Sequence, residues 1–171
     1  MTGLKTFVLS LAMIAAAHLG AHARAPEMAD LWNGAQIDWR DIRSGIYESA
    51  KTGRPVIMLF HAPWCSACKK FRAVFYDTQI VEASKDFVMI LIDADADKVS
   101  NGAFSPDGTY VPRTLFLDSE GNVQSQLKGA GDPNYPHSLD IDSPKELLSL
   151  MRRARETLKG FPQQQTAGDR T

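Results

Sequence analysis

The sequence predicts an α/β fold, a mixed central β-sheet flanked by helices, on three observations. Two short and continuously apolar runs, 55–60 and 87–92, each suit a strand covered on both faces. Between them lies a segment with helical spacing, and strands joined that way run parallel. Further on, Arg113–Leu117 and Val123–Leu127 bracket Asp118-Ser-Glu-Gly-Asn122, the pattern of a β-hairpin with Gly121 supplying a positive φ. An antiparallel pair is thereby added to the parallel one. The chain length limits this to one domain: 171 residues, 44% hydrophobic and 23% charged, hold one core and are too short for two ordinary ones.

Charge and cysteine content exclude other classes. With 19 basic against 20 acidic side chains the formal charge is −1, so nothing favours a nucleic-acid backbone. Two cysteines allow one bridge at most, and the chain must fold by its core rather than by a disulfide framework.

Residues 1–23 carry Lys5, an apolar stretch from Thr6 to Ala17, and Ala21-His22-Ala23. A basic start, a short greasy run and a small-x-small site describe a secretory signal peptide, cleaved after Ala23. The run is too short to span a bilayer, so no stable membrane span is expected after signal removal. Such a chain is exported to a compartment where disulfides persist. A C-terminus without a retention signal and a sequence without an Asn-x-Ser/Thr sequon favour a periplasmic or secreted location over the endoplasmic reticulum lumen. Residues 24–35 read as an N-terminal lead-in, 36–160 as the folded domain, and 161–171 as a flexible polar tail.

Within the domain, Trp39, Ile42, Ile46 and Ala50 recur at helical steps. Asp38 is placed to cap that helix, and Gly53 with Pro55 to end it. The first strand follows, then a helix starting around Trp64–Cys65 and carrying Cys68, Phe71, Val74 and Phe75. Thr78–Ser84 reads as its short helical continuation, and Phe87–Ile92 as the second strand, ending in Asp93. Residues 94–110 read as a polar loop before the hairpin, and 129–142 as a second loop. Ser143-Pro144-Lys145-Glu146 has the form of a capping box with proline at the first helical position. The last helix buries Leu147, Leu148, Leu150, Met151 and Leu158, and Gly160 with Pro162 stops it.

Chemistry concentrates in His61-Ala-Pro-Trp64-Cys65-Ser-Ala-Cys68-Lys69-Lys70. Both cysteines fall at the first turn of a helix that follows a buried strand. Backbone N–H groups there lack partners, so a thiolate is favoured over a thiol. Cys65, where the chain leaves the strand, is expected to be the exposed nucleophile that attacks a client disulfide. Cys68, one turn on and pointing beneath the helix, resolves the mixed disulfide. A purely structural bridge would close so small a loop that it restrains little of the unfolded chain. The non-enzyme alternative is a client- or copper-binding module using His61, Cys65 and Cys68. Those three soft ligands have no evident fourth, and no resident metal is expected.

Trp-Cys-x-x-Cys-Lys after an apolar strand resembles the thioredoxin superfamily. Tyr110-Val111-Pro112-Arg113-Thr-Leu-Phe-Leu-Asp118 resembles the segment that holds its cis-proline. Together with Phe87-Val-Met and Phe104-Ser-Pro-Asp-Gly-Thr-Tyr110, these segments are similar to the small single-domain thioredoxin-like proteins of the endoplasmic reticulum and anterior-gradient group and their bacterial periplasmic relatives. The resemblance covers roughly 36–160. It implies a thioredoxin-like fold and a thiol–disulfide oxidoreductase of the protein-disulfide reductase or isomerase type. Its clients would be protein disulfides or dithiols, recharged by a redox partner protein, with no cofactor beyond the Cys65–Cys68 pair. It further implies that Trp64 flanks the active-site surface and that Pro112 is cis. The backbone of Val111 would then pair with an extended client strand.

Two departures bear on direction. In that family a buried Asp or Glu six residues before the nucleophile helps move the inner thiol's proton; here the position is Leu59, and His61 is the candidate for proton transfer. Ser66-Ala67 matches neither the Gly-Pro of reducing thioredoxins nor the Gly-His of isomerases, so a potential between roughly −270 and −120 mV is expected. Elsewhere, Asp93-Ala-Asp95-Ala-Asp97 lacks the Gly and Glu an EF-hand loop would need at 98 and 104 and reads as a solvated strand end. His137 reads as loop surface. Arg152, Arg153, Arg155 and Lys159 read as the solvated side of the last helix.

Overall fold

The computed structural model describes residues 26–158. The segments read as a signal peptide (1–23), a helix stop (Gly160 with Pro162) and a tail (161–171) all lie outside those residues. Four strands form one sheet in the order β1 (Trp39–Arg40), β3 (Val88–Asp93), β2 (Val56–His61), β4 (Arg113–Leu117). β3 runs parallel to both β1 and β2, whereas β4 is antiparallel to β2. The sheet is mixed, as its sequence pattern predicts. Around it pack α1 (Ile42–Thr52), α2 (Ser66–Phe71), α3 (Thr78–Ser84), α4 (Lys98–Ala103) and α5 (Lys145–Thr157), with 3-10 turns at Ala29–Trp32 and Arg72–Tyr76.

Strand alternation divides the interior in two. Val56, Met58 and Phe60 of β2, with Val88, Ile90 and Ile92 of β3, form a small core that Ile42 and Ile46 of α1 cover. Ile57 and Leu59, with Met89, Leu91 and Phe116, face the larger core, which also contains Trp32, Cys65, Cys68, Phe71, Phe75, Leu147, Leu150 and Met151. The cysteine pair therefore stands on the large core.

Several local expectations give way to tertiary demands. Trp39 does not begin α1. It lies in β1 paired with Met89, its indole donating to the Trp32 carbonyl at 2.7 Å. Asp41, not Asp38, caps α1, accepting from the Ser44 N–H at 3.0 Å. The face α1 turns inward is small rather than apolar, since Gly45 and Ser49 are buried while Ala50 is exposed. A Cβ on Gly45 would come within 2.5 Å of the Ile90 side chain, so glycine is what lets helix and sheet approach. Gly53 ends α1 at φ 75°, as expected.

Thr78–Ser84 is a separate helix, not a continuation. Asp77 accepts from Gln79 and Ile80 N–H and starts it afresh. The segment expected as loop, 94–110, contains α4, capped by Asp97 on the Ser100 N–H. The predicted hairpin shrinks to one bridge, Leu117 to Val123, with Gly121 at φ 87°, and 124–127 forms no strand. The capping box is also absent. Ser143 accepts from Lys145 N–H at 3.3 Å, but the Glu146 carboxylate turns away to accept from Ala130 N–H (2.7 Å) and Asp140 N–H (2.6 Å). Glu146 thereby pins the loop before α5. Among the described residues no helix is long and apolar enough to cross a membrane.

Candidate active site

β2 ends at His61, and four residues later the chain turns into α2 through Cys65. Cys65 holds an extended conformation (φ −69°, ψ 109°) as the N-cap of the helix. Its Sγ accepts a hydrogen bond from the Cys68 N–H at 3.0 Å. A sulfur thus fills the role that Ser or Asp oxygens usually fill at this position. α2 has only six residues, so this direct N–H contact, rather than the summed dipole of a long helix, is what favours negative charge on Cys65. The two cysteines are joined as a disulfide with Cα atoms 5.2 Å apart.

Cys65 is less accessible than expected: it is 3% exposed and Cys68 fully buried. The physical reason is its neighbourhood. The Val111 carbonyl oxygen stands 3.6 Å from Cys65 Sγ, and in the disulfide the sulfur is drawn back over the helix end towards Cys68. The disulfide has no S–H to donate; on reduction the Cys65 thiol gains one that can face this oxygen.

Trp64 is the exposed flank of the site, 68% accessible, its indole N–H donating to Asp95 Oδ2 at 2.6 Å. Asp93, half-buried, accepts from the Asp95 and Ala96 N–H groups. The Asp93-Asp95-Asp97 stretch is therefore an ordered turn that carries Trp64's partner, not merely a solvated strand end. On the opposite side Val111 is half-buried, Pro112 buried, and the bond between them cis.

His61 is fully buried, and alternation along β2 puts it on the same face as Ile57 and Leu59, the face of the cysteines. Its ring centroid lies 5.4 Å from that of Trp32. Neither ring nitrogen has a hydrogen-bond partner among the described residues. Burial pushes its pKa down to about 4; Asp93 opposes that shift and Arg72 adds to it. His61 is consequently neutral at neutral pH. Among the described residues no group of three His, Cys, Asp or Glu is arranged to hold a metal.

Sequence reasoning missed what lies behind Val111. His137 is not loop surface: it is buried, its Nδ1 3.0 Å from Asp107 Oδ1. The Tyr110 hydroxyl donates to Asp107 Oδ2 at 2.5 Å and accepts from the His137 N–H at 2.9 Å. Arg113, the first residue of β4, is fully buried. A charged residue opening a strand whose last three residues are apolar was the available signal.

Residues 38–119 match a family described as Thioredoxin-like. Anterior gradient protein 1 of Xenopus laevis is 30% identical over 130 residues, covering 74% of this chain and 68% of that protein. The thiol:disulfide interchange protein DsbD of Ralstonia nicotianae is 30% identical over 127 residues, 71% of this chain but only 19% of that much longer protein. Among solved structures, a thioredoxin from Thermus thermophilus superposes with a TM-score of 0.52 at 18% identity, covering 70% of this chain and 87% of that one.

Proposed function

The chain belongs to the thioredoxin-like family, and from that premise we propose that it is an exported thiol–disulfide oxidoreductase that reduces or exchanges protein disulfides through Cys65 and Cys68. The observation that carries this reading is the N-capping sulfur. Cys65 Sγ sits on a backbone N–H at the head of α2, bonded to Cys68 and faced by the Val111 carbonyl.

In the reductive direction, the Cys65 thiolate attacks one sulfur of a client disulfide. A Cys65–client bond forms and the other client sulfur leaves as thiolate. Cys68 then gives up its proton and attacks Cys65 Sγ, releasing the second client thiolate and restoring the Cys65–Cys68 disulfide. Two electrons have passed to the client, and a redox partner protein with a dithiol supplies the next two. No bound cofactor takes part. His61 lies on the face of the cysteines two residues on from Leu59, but a pKa held down to about 4 makes it a weak base, so the Cys68 proton passes to the departing client thiolate. Trp64 and the Val111–Pro112 backbone hold the client segment. The leader-like residues 1–23 support export to a periplasmic or extracellular setting, where such disulfides persist.

The test is trapping. Cys68→Ala blocks resolution, so the exported protein should accumulate mixed disulfides through Cys65 that dithiothreitol releases, and Cys65→Ala with Cys68→Ala should accumulate none. Recovery of no mixed disulfide with Cys68→Ala from its own compartment rejects protein clients.

A further inference from the structure

Arg113 is a full positive charge with no solvent access, yet none of its hydrogen-bond partners among the described residues is a carboxylate. Its guanidinium lies 4.1 Å over the Phe60 ring and donates to the Tyr110 carbonyl at 2.9 Å, the Asn101 carbonyl at 3.2 Å and Asn101 Oδ1 at 2.7 Å. A buried charge hydrogen-bonded only to neutral oxygens, with its Nε unpartnered and only the Asp107 carboxylate behind Tyr110 acting on it electrostatically, is a poor stabiliser, and an apolar side chain of similar volume would commonly serve a core at least as well. What Arg113 does achieve is geometric: it ties the carbonyl preceding Val111 to α4.

Asn101 carries the tie onward. Its Nδ2 donates to the Ala94 carbonyl at 3.3 Å, and the Ala94 N–H donates to the His61 carbonyl at 2.8 Å. The next residue, Asp95, holds the Trp64 indole. One side-chain pair is thus linked to both walls of the site, the Val111 wall through Tyr110 and the Trp64 wall through Ala94. Behind Tyr110, the Asp107–His137 pair holds the phenol, so the Val111 segment is fixed from two sides.

We propose that Asn101 and Arg113 are positioning residues that set the width of the cleft across Cys65 and so select an extended polypeptide over small disulfides. The inference rests on the reading of Cys65 as a client-attacking sulfur. Between these two walls Cys65 is only 3% exposed. A client reaches the sulfur by laying its main chain along Val111, and that pairing requires the Val111 peptide to be held still.

The experiment uses Asn101→Ala and Asn101→Asp in the full mature protein. Asn101→Asp keeps an acceptor for Arg113 but removes the donor to Ala94. Steady-state reduction of a disulfide-linked peptide is measured beside iodoacetamide alkylation of the reduced protein, which needs no client. For Asn101→Ala, kcat/KM for the peptide should fall about tenfold, the equivalent of one lost net hydrogen bond, and the loss should lie in KM. Cys65 should alkylate several-fold faster while Cys68 stays unmodified. Asn101→Asp should recover most of the peptide KM, because the Val111 wall keeps its tie. Gly45→Ala, far from the cleft, is the control for general destabilisation and should show neither effect.

Unchanged KM and alkylation in Asn101→Ala overturn the proposal, as does a matching change in Gly45→Ala. A wild-type protein that reduces no peptide, with alkylation of Asn101→Ala still accelerated, rejects the oxidoreductase reading while leaving the cleft geometry supported.

Discussion

Replacing His61 by leucine should flatten the acid limb of this protein's stability curve. His61 is fully buried and its pKa is pushed from 6.5 down to about 4, chiefly by burial, with Asp93 opposing and Arg72 assisting. Between those two pH values the unfolded chain binds a proton that the folded chain refuses. Stability is therefore lost as pH falls through that window, and the loss is complete below about pH 4. The whole span is worth about 3 kcal/mol, of which about 2 should be seen between pH 7 and pH 4.5.

Urea unfolding of the oxidised protein at half-unit pH steps measures it directly. Wild type should lose those roughly 2 kcal/mol, whereas His61→Leu should lose distinctly less over the same range, whatever its absolute stability. Asp41 and Asp118, whose pKa values lie below the ordinary 3.8 despite burial because hydrogen bonds favour their charged forms, act at lower pH and are common to both proteins. Parallel curves for the two proteins would refute the account of His61 as a buried neutral imidazole.

Two further outcomes follow from packing and loop anchoring. Gly45→Ala should destabilise by about 1–3 kcal/mol in urea unfolding, because the added methyl meets Ile90 and overpacking outweighs the helix propensity gained; an equal or raised midpoint would contradict the close α1–β3 approach. Glu146→Gln should cost about 1–2 kcal/mol and speed hydrogen exchange at the Ala130 and Asp140 amides, since a neutral amide replaces two charge-assisted acceptors. Unaltered exchange there would show that the 129–142 loop is held by other contacts.

What the sequence displayed well was the buried sheet. Val56–Phe60 and Val88–Ile92 are apolar at every position because both faces are covered, and that pattern needs no tertiary knowledge to read. Gly53 at the end of α1 and the Leu147–Met151 face of α5 were equally local. The misreadings share a cause: a residue with a credible local role was claimed by a distant partner. Trp39 has helical spacing to Ile42, yet its indole finds the Trp32 carbonyl and its backbone finds Met89. Glu146 stands where a capping box would use it, yet two loop amides take its carboxylate. α4 lay hidden because Lys98–Ala103 is short and polar, and only Asp97 as a cap announces it.

At the site, the cysteine spacing was legible because a helix turn fixes it, but the walls were not, since they come from residues 95 and 101–113. His61 lies between these cases. The family's carboxylate position is Leu59, and β alternation puts His61 on the same face two residues along, about 7 Å nearer the strand end. The sequence therefore supplies an alternative group on the correct side of the sheet, displaced by one pleat towards the helix that carries Cys68. That displacement changes the chemistry as well as the place. A buried carboxylate is a charge that must be neutralised to exist in an apolar core, whereas this buried imidazole is neutral already, and the low pKa that keeps it so makes it a weak base for the Cys68 thiol. Because His61 stays neutral down to about pH 4, the resolving step in this protein should show no inflection near pH 6.5.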